Sequence, residues 1–164
     1  MPGTDLILHE EEFTKIRDVI SRLRNECNAK VVFLVDKNGQ QIAANGELNA
    51  IDTTALASLA AGNVAATDSL ARLIGEKEFS VLFHEGERDN LHISVVGGRV
   101  ILVVIFDERS SLGLVRLRVK KGSTELAAIL DVMLKKSAQP RKAAAGGSPF
   151  AEITDEDIDK LFSD

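Results

Sequence analysis

The chain has 164 residues, 45% of them hydrophobic, which suits one domain with an appendage and is enough to bury a core. The net charge of −5 is concentrated in residues 150–164, where six acidic residues stand against one lysine. A near-neutral body with an acidic tail argues against nucleic acid as a partner, and the lack of Trp and Tyr argues against base-stacking platforms.

The compartment is predicted from what the sequence lacks. Cys27 is the single cysteine and cannot form an internal disulfide. No apolar run has the length of a signal peptide's core or of a membrane span. We therefore expect a cytoplasmic protein in a reducing environment.

The first predicted elements are a helix and a hairpin. Apolar residues recur at three- and four-residue steps over Glu10–Cys27, which predicts an amphipathic helix with Cys27 buried as a small hydrophobe. The stretch 30–45 predicts two strands joined at Asp36-Lys37-Asn38-Gly39. This tetrapeptide resembles the start of a calcium loop but lacks its later acidic ligands, so we interpret it as a turn.

A central helix is predicted over 51–76, with Asp52 as its N-cap and Gly75 at its end. The larger apolar residues fall on one side of it, and we expect this side to pack on a sheet: Leu56, Leu59, Ala66, Leu70, Leu73 and Ile74. Small residues fall on the other side: Ala57, Ser58, Ala61, Gly62, Ala65 and Ser69. No charge interrupts the segment 57–67, so the small side indicates either a docking surface or a helix buried on both sides within one chain.

Three strands and a final helix follow. The strands are predicted at 79–84, at 90–96 with alternating apolar residues, and at 100–106 as a continuous apolar run typical of a strand covered on both faces. The stretch 112–136 is ambiguous, because LVRLRVK alternates like a strand whereas STELAAILDVMLKK is helical. Gly122 lies between these two parts and disfavours a continuous helix by about 1 kcal/mol.

The end of the chain divides into a linker and a tail. Residues 137–149 have the composition of a flexible linker after a domain that we place at 1–136. Thr154 opens a capping box within the acidic tail 150–164, which predicts a short amphipathic helix. Its apolar residues would anchor it in a partner's groove with a basic rim: Phe150, Ile153, Ile158, Leu161 and Phe162. The alternative is a frayed segment that keeps the chain soluble.

The sequence offers no catalytic constellation. It contains no phosphate-binding loop, no dinucleotide-binding turn and no nucleophile elbow. Of the three histidines, only His84 and His92 could be neighbours across a strand pair, and two histidines alone indicate a zinc site weakly. We therefore expect no enzyme active site, no cofactor and no metal.

Helix, two strands, helix, three strands, helix is the element order of the roadblock family, a profilin-like α/β sandwich with a five-stranded antiparallel sheet. Four stretches carry the resemblance: VVFLVDKNGQ, IDTTALASLAAGNVAA, GGRVILVVIFD and SSLGLVRLRVKK. The last resembles the family's final helix, and for this reason we predict that 112–136 is helical. The tail SPFAEITDEDIDKLF extends the likeness to roadblock proteins of gliding bacteria.

The resemblance implies a homodimer whose central helices lie side by side and which binds a small Ras-like GTPase in its GTP form, two subunits to one GTPase. It implies that the dimer stimulates GTP hydrolysis by positioning the GTPase's own residues. It also implies that the tail helix binds the GTPase at a second place and modulates affinity or nucleotide exchange. The implied biological role is in cell polarity and gliding motility, with enrichment at a cell pole. The expected contacts lie on the small side of the central helix and at its rim: Ala57, Ala61, Ala65, Asp68, Ser69 and Arg72.

Two alternatives to this mechanism remain open in the sequence. In the first, one of three arginines, Arg72, Arg99 or Arg109, is donated to the GTPase as a catalytic finger. In the second, the dimer is a scaffold that only localises a GTPase or another partner.

Overall fold

A five-stranded antiparallel sheet organises the structure, a computed structural model that describes residues 10–144, with side chains described for 10–136. Five strands and three helices follow the predicted order: α1 Glu10–Cys27, β1 Val31–Asp36, β2 Gln41–Gly46, α2 Thr53–Leu73, β3 Val81–Glu85, β4 Asn90–Val96, β5 Val100–Phe106 and α3 Leu112–Ala144. The predicted fold class, an α/β sandwich with a five-stranded antiparallel sheet and this element order, is confirmed.

The strands are arranged in the order β2-β1-β5-β4-β3, and every neighbouring pair is antiparallel. The turn between β1 and β2 is held by Asp36, whose Oδ1 accepts from the backbone N–H groups of Asn38 at 2.9 Å and Gln40 at 3.0 Å. This side-chain cap accounts for the acidic residue at the turn. The sheet has two edges, β2 and β3.

Helices cover both faces of the sheet, so its central strands are apolar throughout. α1 and α3 pack on the face formed by Val32, Leu34, Leu102 and Val104. α2 packs on the opposite face, which contains Val31, Phe33, Val35, Ile93, Ile101 and Val103. β1 and β5 are therefore buried on both sides, as their continuous hydrophobic runs predict.

α3 is one helix through the ambiguous segment, and Gly122 marks its crossing with α1. A Cβ placed on Gly122 would lie 2.8 Å from Cδ1 of Leu23. The missing side chain lets the two helices approach closely, which is a packing reason to accept a residue with low helix propensity.

α3 also extends further than predicted. It continues to Ala144, into the stretch that the sequence predicts as a linker, and the linker role of 137–149 stays a prediction. Glu12 of α1, 2% exposed, accepts a hydrogen bond from Nζ of Lys136 and ties the two helices together before the tail.

α2 packs on the sheet with the opposite face to the one predicted. Ala57 is 1% and Ala61 is 9% exposed, so neither is available to a partner in this protomer. The reason is close approach: a Cβ on Gly39, in the β1–β2 turn, would lie 3.3 Å from Cα of Ser58 and 3.7 Å from Cβ of Ala61. Because the side chains of Ala57 and Ala61 are small, the β1–β2 turn and the sheet can approach this face of α2 closely.

Candidate partner-binding surface on helix α2

Both ends of α2 are fixed by local hydrogen bonds. Asp52 accepts from the backbone N–H of Ala55 at 3.0 Å, which confirms the predicted N-cap. At the other end Gly75, with φ +83°, donates to the carbonyl of Arg72, and Glu76 donates to that of Ala71. This paired pattern is a Schellman motif and requires the left-handed residue that glycine supplies.

The solvent side of α2 carries large apolar residues. Leu59 is 71%, Leu70 58%, Leu73 82% and Ile74 68% exposed. We define the α2 stripe as these four residues together with the exposed small residues between them: Leu59, Gly62, Ala65, Ala66, Ser69, Leu70, Leu73 and Ile74. A contiguous exposed apolar surface of this kind is typical of an interaction site.

Sheet edge β3 lies beside this helix. Asn63 of α2 and Nε2 of His84 on β3 are 3.2 Å apart, within hydrogen-bond distance. Val81, the first residue of this strand, is 46% exposed, and Phe79, two residues before it, is 37% exposed. An edge strand with unpaired backbone groups and exposed apolar side chains is a surface on which another strand can pair.

Four of the six predicted contact residues remain on the accessible part of α2. Ala65, Ser69 and Arg72 are exposed and Asp68 is half-buried. Three of them are linked in the C-terminal half of the helix, because Arg72 donates to Oγ of Ser69 at 3.3 Å and Ser69 donates to the carbonyl of Ala65 at 3.2 Å. Their contact with a partner stays a prediction.

The three candidate arginines do not lie together. Arg72 is on α2, whereas Arg99 pairs with Asp131 of α3 at 3.8 Å. Arg109 donates to Asp107 at 3.0 Å, and this hydrogen bond lowers the pKa of the Asp107 carboxyl. Arg72 is therefore the arginine that the fold places beside the α2 stripe.

The remaining candidate residues, two histidines, one cysteine and the tail residues, do not form a common site in the described part of the chain. His84 faces α2 and His92 faces α3, since they lie at positions of opposite parity on two paired strands. The two histidines therefore are not neighbours and cannot ligate one zinc ion together. Cys27 is buried, which confirms the predicted role as a small buried hydrophobe, and burial raises the pKa of its thiol to about 11. The five tail residues from Phe150 to Phe162 lie outside the described residues.

Sequence reasoning missed the exposed leucines. It assigned Leu59, Leu70 and Leu73 to the core, and the structure exposes all three. The available signal was that neither long side of α2 carries a charge over 57–67, so one uncharged side had to face away from the sheet.

Comparison with known proteins agrees with the fold. The profile of the Roadblock/LC7 domain matches residues 15–106, and the chain belongs to this family, whose domains are regulatory rather than catalytic in themselves. Within it, the chain is similar to Myxococcus xanthus MglB, with 63% identity, a TM-score of 0.73, and coverage of 75% of this chain and 92% of that one.

Other solved structures show the same likeness. The gliding protein MglB from Thermus thermophilus is 36% identical, with a TM-score of 0.68 and coverage of 72% of this chain and 90% of that one. An MglB described as having a tetrameric arrangement is 33% identical, with a TM-score of 0.71 and coverage of 74% and 92%. No curated protein matches the chain. Among the described residues, no helix is both long and apolar enough to span a bilayer.

Proposed function

We propose that the chain is a homodimeric, cytoplasmic regulator that binds a small Ras-like GTPase of the MglA kind in its GTP form, two subunits to one GTPase, and stimulates GTP hydrolysis. In the dimer the two sheets join at their β3 edges and the two α2 helices lie side by side. The biological output is front–rear polarity in gliding motility, with enrichment at a cell pole. Similarity to MglB from two bacteria supports the assignment of the system.

The observation that carries this proposal is the exposure of the α2 stripe. Four large apolar residues there are more than half exposed, one in the N-terminal half of α2 and three at its C-terminal end, and the helix also borders a sheet edge. Complete burial of one such side chain contributes about 1.5–3 kcal/mol. Covering this surface by a second copy and by a GTPase would thus remove most of the exposed apolar area of α2 from water.

Over residues 53–67 the surface favours a positioning mechanism over donated chemistry, whereas Arg72, beside the C-terminal end of the α2 stripe, is the candidate for a donated arginine. From Thr53 to Thr67, α2 carries no ionisable side chain that could act on a phosphate. An uncharged surface can still hold a GTPase's mobile loops so that its own arginine and glutamine engage the nucleotide. The C-terminal helix, which lies outside the described residues, would bind the GTPase at a second place and modulate affinity or exchange.

A matched pair of arginine substitutions tests the contact. Ala65→Arg places a charged side chain on the α2 stripe, whereas Ala128→Arg places the same side chain on an exposed position of α3, across the sheet. We expect Ala65→Arg to abolish most of the stimulation of GTP turnover while Ala128→Arg behaves as wild type. Sedimentation of both variants separates loss of the dimer from loss of GTPase contact. Undiminished stimulation by Ala65→Arg would remove this surface from the mechanism.

The same assay separates the two alternatives. If Arg72 is donated as a finger, Arg72→Ala lowers turnover by about 10³-fold or more while GTPase binding persists. Positioning predicts a smaller loss, accompanied by weaker binding. Binding by the wild type without any change in turnover would instead identify a scaffold.

A further inference from the structure

The outer edge of β2 is the sheet edge that the proposed dimer leaves free. β2 pairs with β1 alone, and the backbone N–H of Glu47, just after β2, donates to the carbonyl of Lys30 at 2.9 Å. Because the direction of these groups alternates along an antiparallel strand, the N–H of Asn45 points to β1 and those of Ala44 and Gly46 point outward. Within residues 10–144, no backbone carbonyl accepts from either outward N–H group.

This edge lacks the features that keep an exposed strand from pairing. Its sequence, QIAANG, contains no charged residue and no proline. The one bulge in its pairing lies at the Gln41 end, which leaves the edge regular from Ala43 to Gly46. Proteins protect an edge of this kind by charge, by proline, by a bulge or by a covering segment. The stretch from Ala43 to Gly46 therefore requires a cover.

The helix α1 brings the chain to this edge. It contacts β1 and β2, whereas α3 contacts β4, so the side of α1 that faces away from α3 lies over the free edge. Cys27 ends α1 shortly before β1, whose first residue pairs with Gly46. With 18 residues α1 is about 27 Å long, more than the length of a six-residue strand. Its first turn therefore lies at the other end of β2, near Gln41.

Phe13 forms an apolar surface beside the edge. It precedes Arg22 by nine residues, which is two and a half helical turns, so the two side chains lie on opposite sides of α1. Arg22 donates to Glu125 of α3, which places Phe13 on the side that lies over β2. Phe13 is only half-buried, and the guanidinium of Arg17 lies 5.4 Å from its ring centroid.

We propose that residues 5–8, which lie outside the described residues, pair with the outer edge of β2 as an antiparallel sixth strand. They directly precede α1 and include an apolar run, 6–8. A strand that enters α1 near Gln41 runs antiparallel to β2. Leu8 occupies the position before the N-cap of α1 and Phe13 the fourth helical position, and an apolar pair at these two positions forms a hydrophobic staple.

The sixth strand limits how sheets of different chains can associate. A strand edge that is already paired offers no backbone groups to another chain, so edge-to-edge pairing is restricted to β3. The dimer is then the end point of this kind of assembly. This role goes beyond the proposed function, and its test needs no GTPase.

The test is amide hydrogen exchange of the full chain, measured residue by residue by NMR. Ala44 and Gly46 should be protected as Asn45 is, and equally at all protomer concentrations, because the pairing lies within one chain. The variant Leu6→Pro/Ile7→Pro removes two adjacent backbone donors, one of which faces β2. Exchange at Ala44 and Gly46 should then rise about tenfold, whereas Asn45, which faces β1, stays protected.

Gly3→Pro/Thr4→Pro is the matched control, because it places the same two prolines before the apolar run. It should leave exchange at Ala44 and Gly46 unchanged. Deletion of residues 1–8 repeats the experiment without any new proline and should give the same loss of protection as the variant in the apolar run. Protection of Asn45 reports in every case that the domain has folded.

Three results would overturn the sixth strand. The first is exchange at Ala44 and Gly46 far faster than at Asn45 in the full chain, which leaves the edge to water. The second is protection that rises with protomer concentration, which assigns the edge to a second copy. The third is protection that survives both the proline variant and the deletion. Sedimentation of the deletion variant no larger than that of the full chain would contradict the limit on assembly.

Discussion

Replacement of Gly122 by alanine should destabilise the fold, although alanine is the better helix former. A Cβ at this position would lie 2.8 Å from Cδ1, 2.9 Å from Cδ2 and 3.0 Å from Cγ of Leu23. Helix propensity favours alanine by about 1 kcal/mol, whereas overpacking a core costs about 1–3 kcal/mol. The upper half of that range applies, because the branch-point Cγ of a buried leucine is contacted as well as its methyl groups. We expect a net loss of about 1–2 kcal/mol.

Gly62→Ala is the matched control for this substitution, compared at a protomer concentration at which sedimentation shows a monomer, because Gly62 belongs to the α2 stripe. Gly62 is also inside a helix, but a Cβ there would meet nothing within 4 Å. Alanine should therefore raise the free energy of unfolding by about 0.5–1 kcal/mol. Because the chain has no Trp or Tyr, urea unfolding is best followed by far-UV circular dichroism. All variants are compared at one protomer concentration, since self-association would shift the midpoint.

A double-mutant cycle locates the cause of the loss. Leu23→Ala removes the crowding atoms at a cost of about 2–5 kcal/mol, and in this background Gly122→Ala should become stabilising. If Gly122→Ala alone is as stabilising as Gly62→Ala, the helices cross further apart than described and the account of Gly122 is wrong.

Three further predictions concern the ends of the helices. The hydrogen bond from Lys136 lowers the pKa of Glu12 below its ordinary value of 4.5. The contact therefore stabilises the fold at pH values above the pKa that Glu12 has in the unfolded chain. This stabilisation is lost as the pH falls through the lower pKa that Glu12 has in the folded protein. Unfolding midpoints measured across that range should fall less steeply for Glu12→Gln than for wild type; parallel curves would contradict this. Asp52→Ala, which removes the acceptor for Ala55, should lower the free energy of unfolding by about 1 kcal/mol in urea titrations, whereas Asp52→Asn should retain most of it; equal losses would refute the cap. Truncation after Ala144 should weaken GTPase binding or change nucleotide exchange without altering sedimentation. If neither binding nor exchange changes, the tail is inert.

Local signals predicted most of the fold. The Asp52 cap and the turn at Asp36 depend on side chains that accept hydrogen bonds from backbone groups two or three residues away. A short stretch of sequence is therefore enough to predict them. The apolar run 100–106 predicted a strand covered on both faces, because only such a strand can lack polar positions. The segment 112–136 could not be resolved this way, and resemblance to a family decided it correctly.

The sequence by itself determined that neither side of α2 carries a charge over residues 57–67, so an uncharged side of this helix must face away from the sheet. Only the tertiary structure decided which side, because the choice depends on how closely the β1–β2 turn approaches Ala57 and Ser58. Large residues cannot fit at that separation, so the alanines face inward and Leu59, Leu70 and Leu73 face water. The same limit applies to His92: its alternation was visible in the sequence, but its burial beside Arg116 of α3 arises from a contact between distant segments.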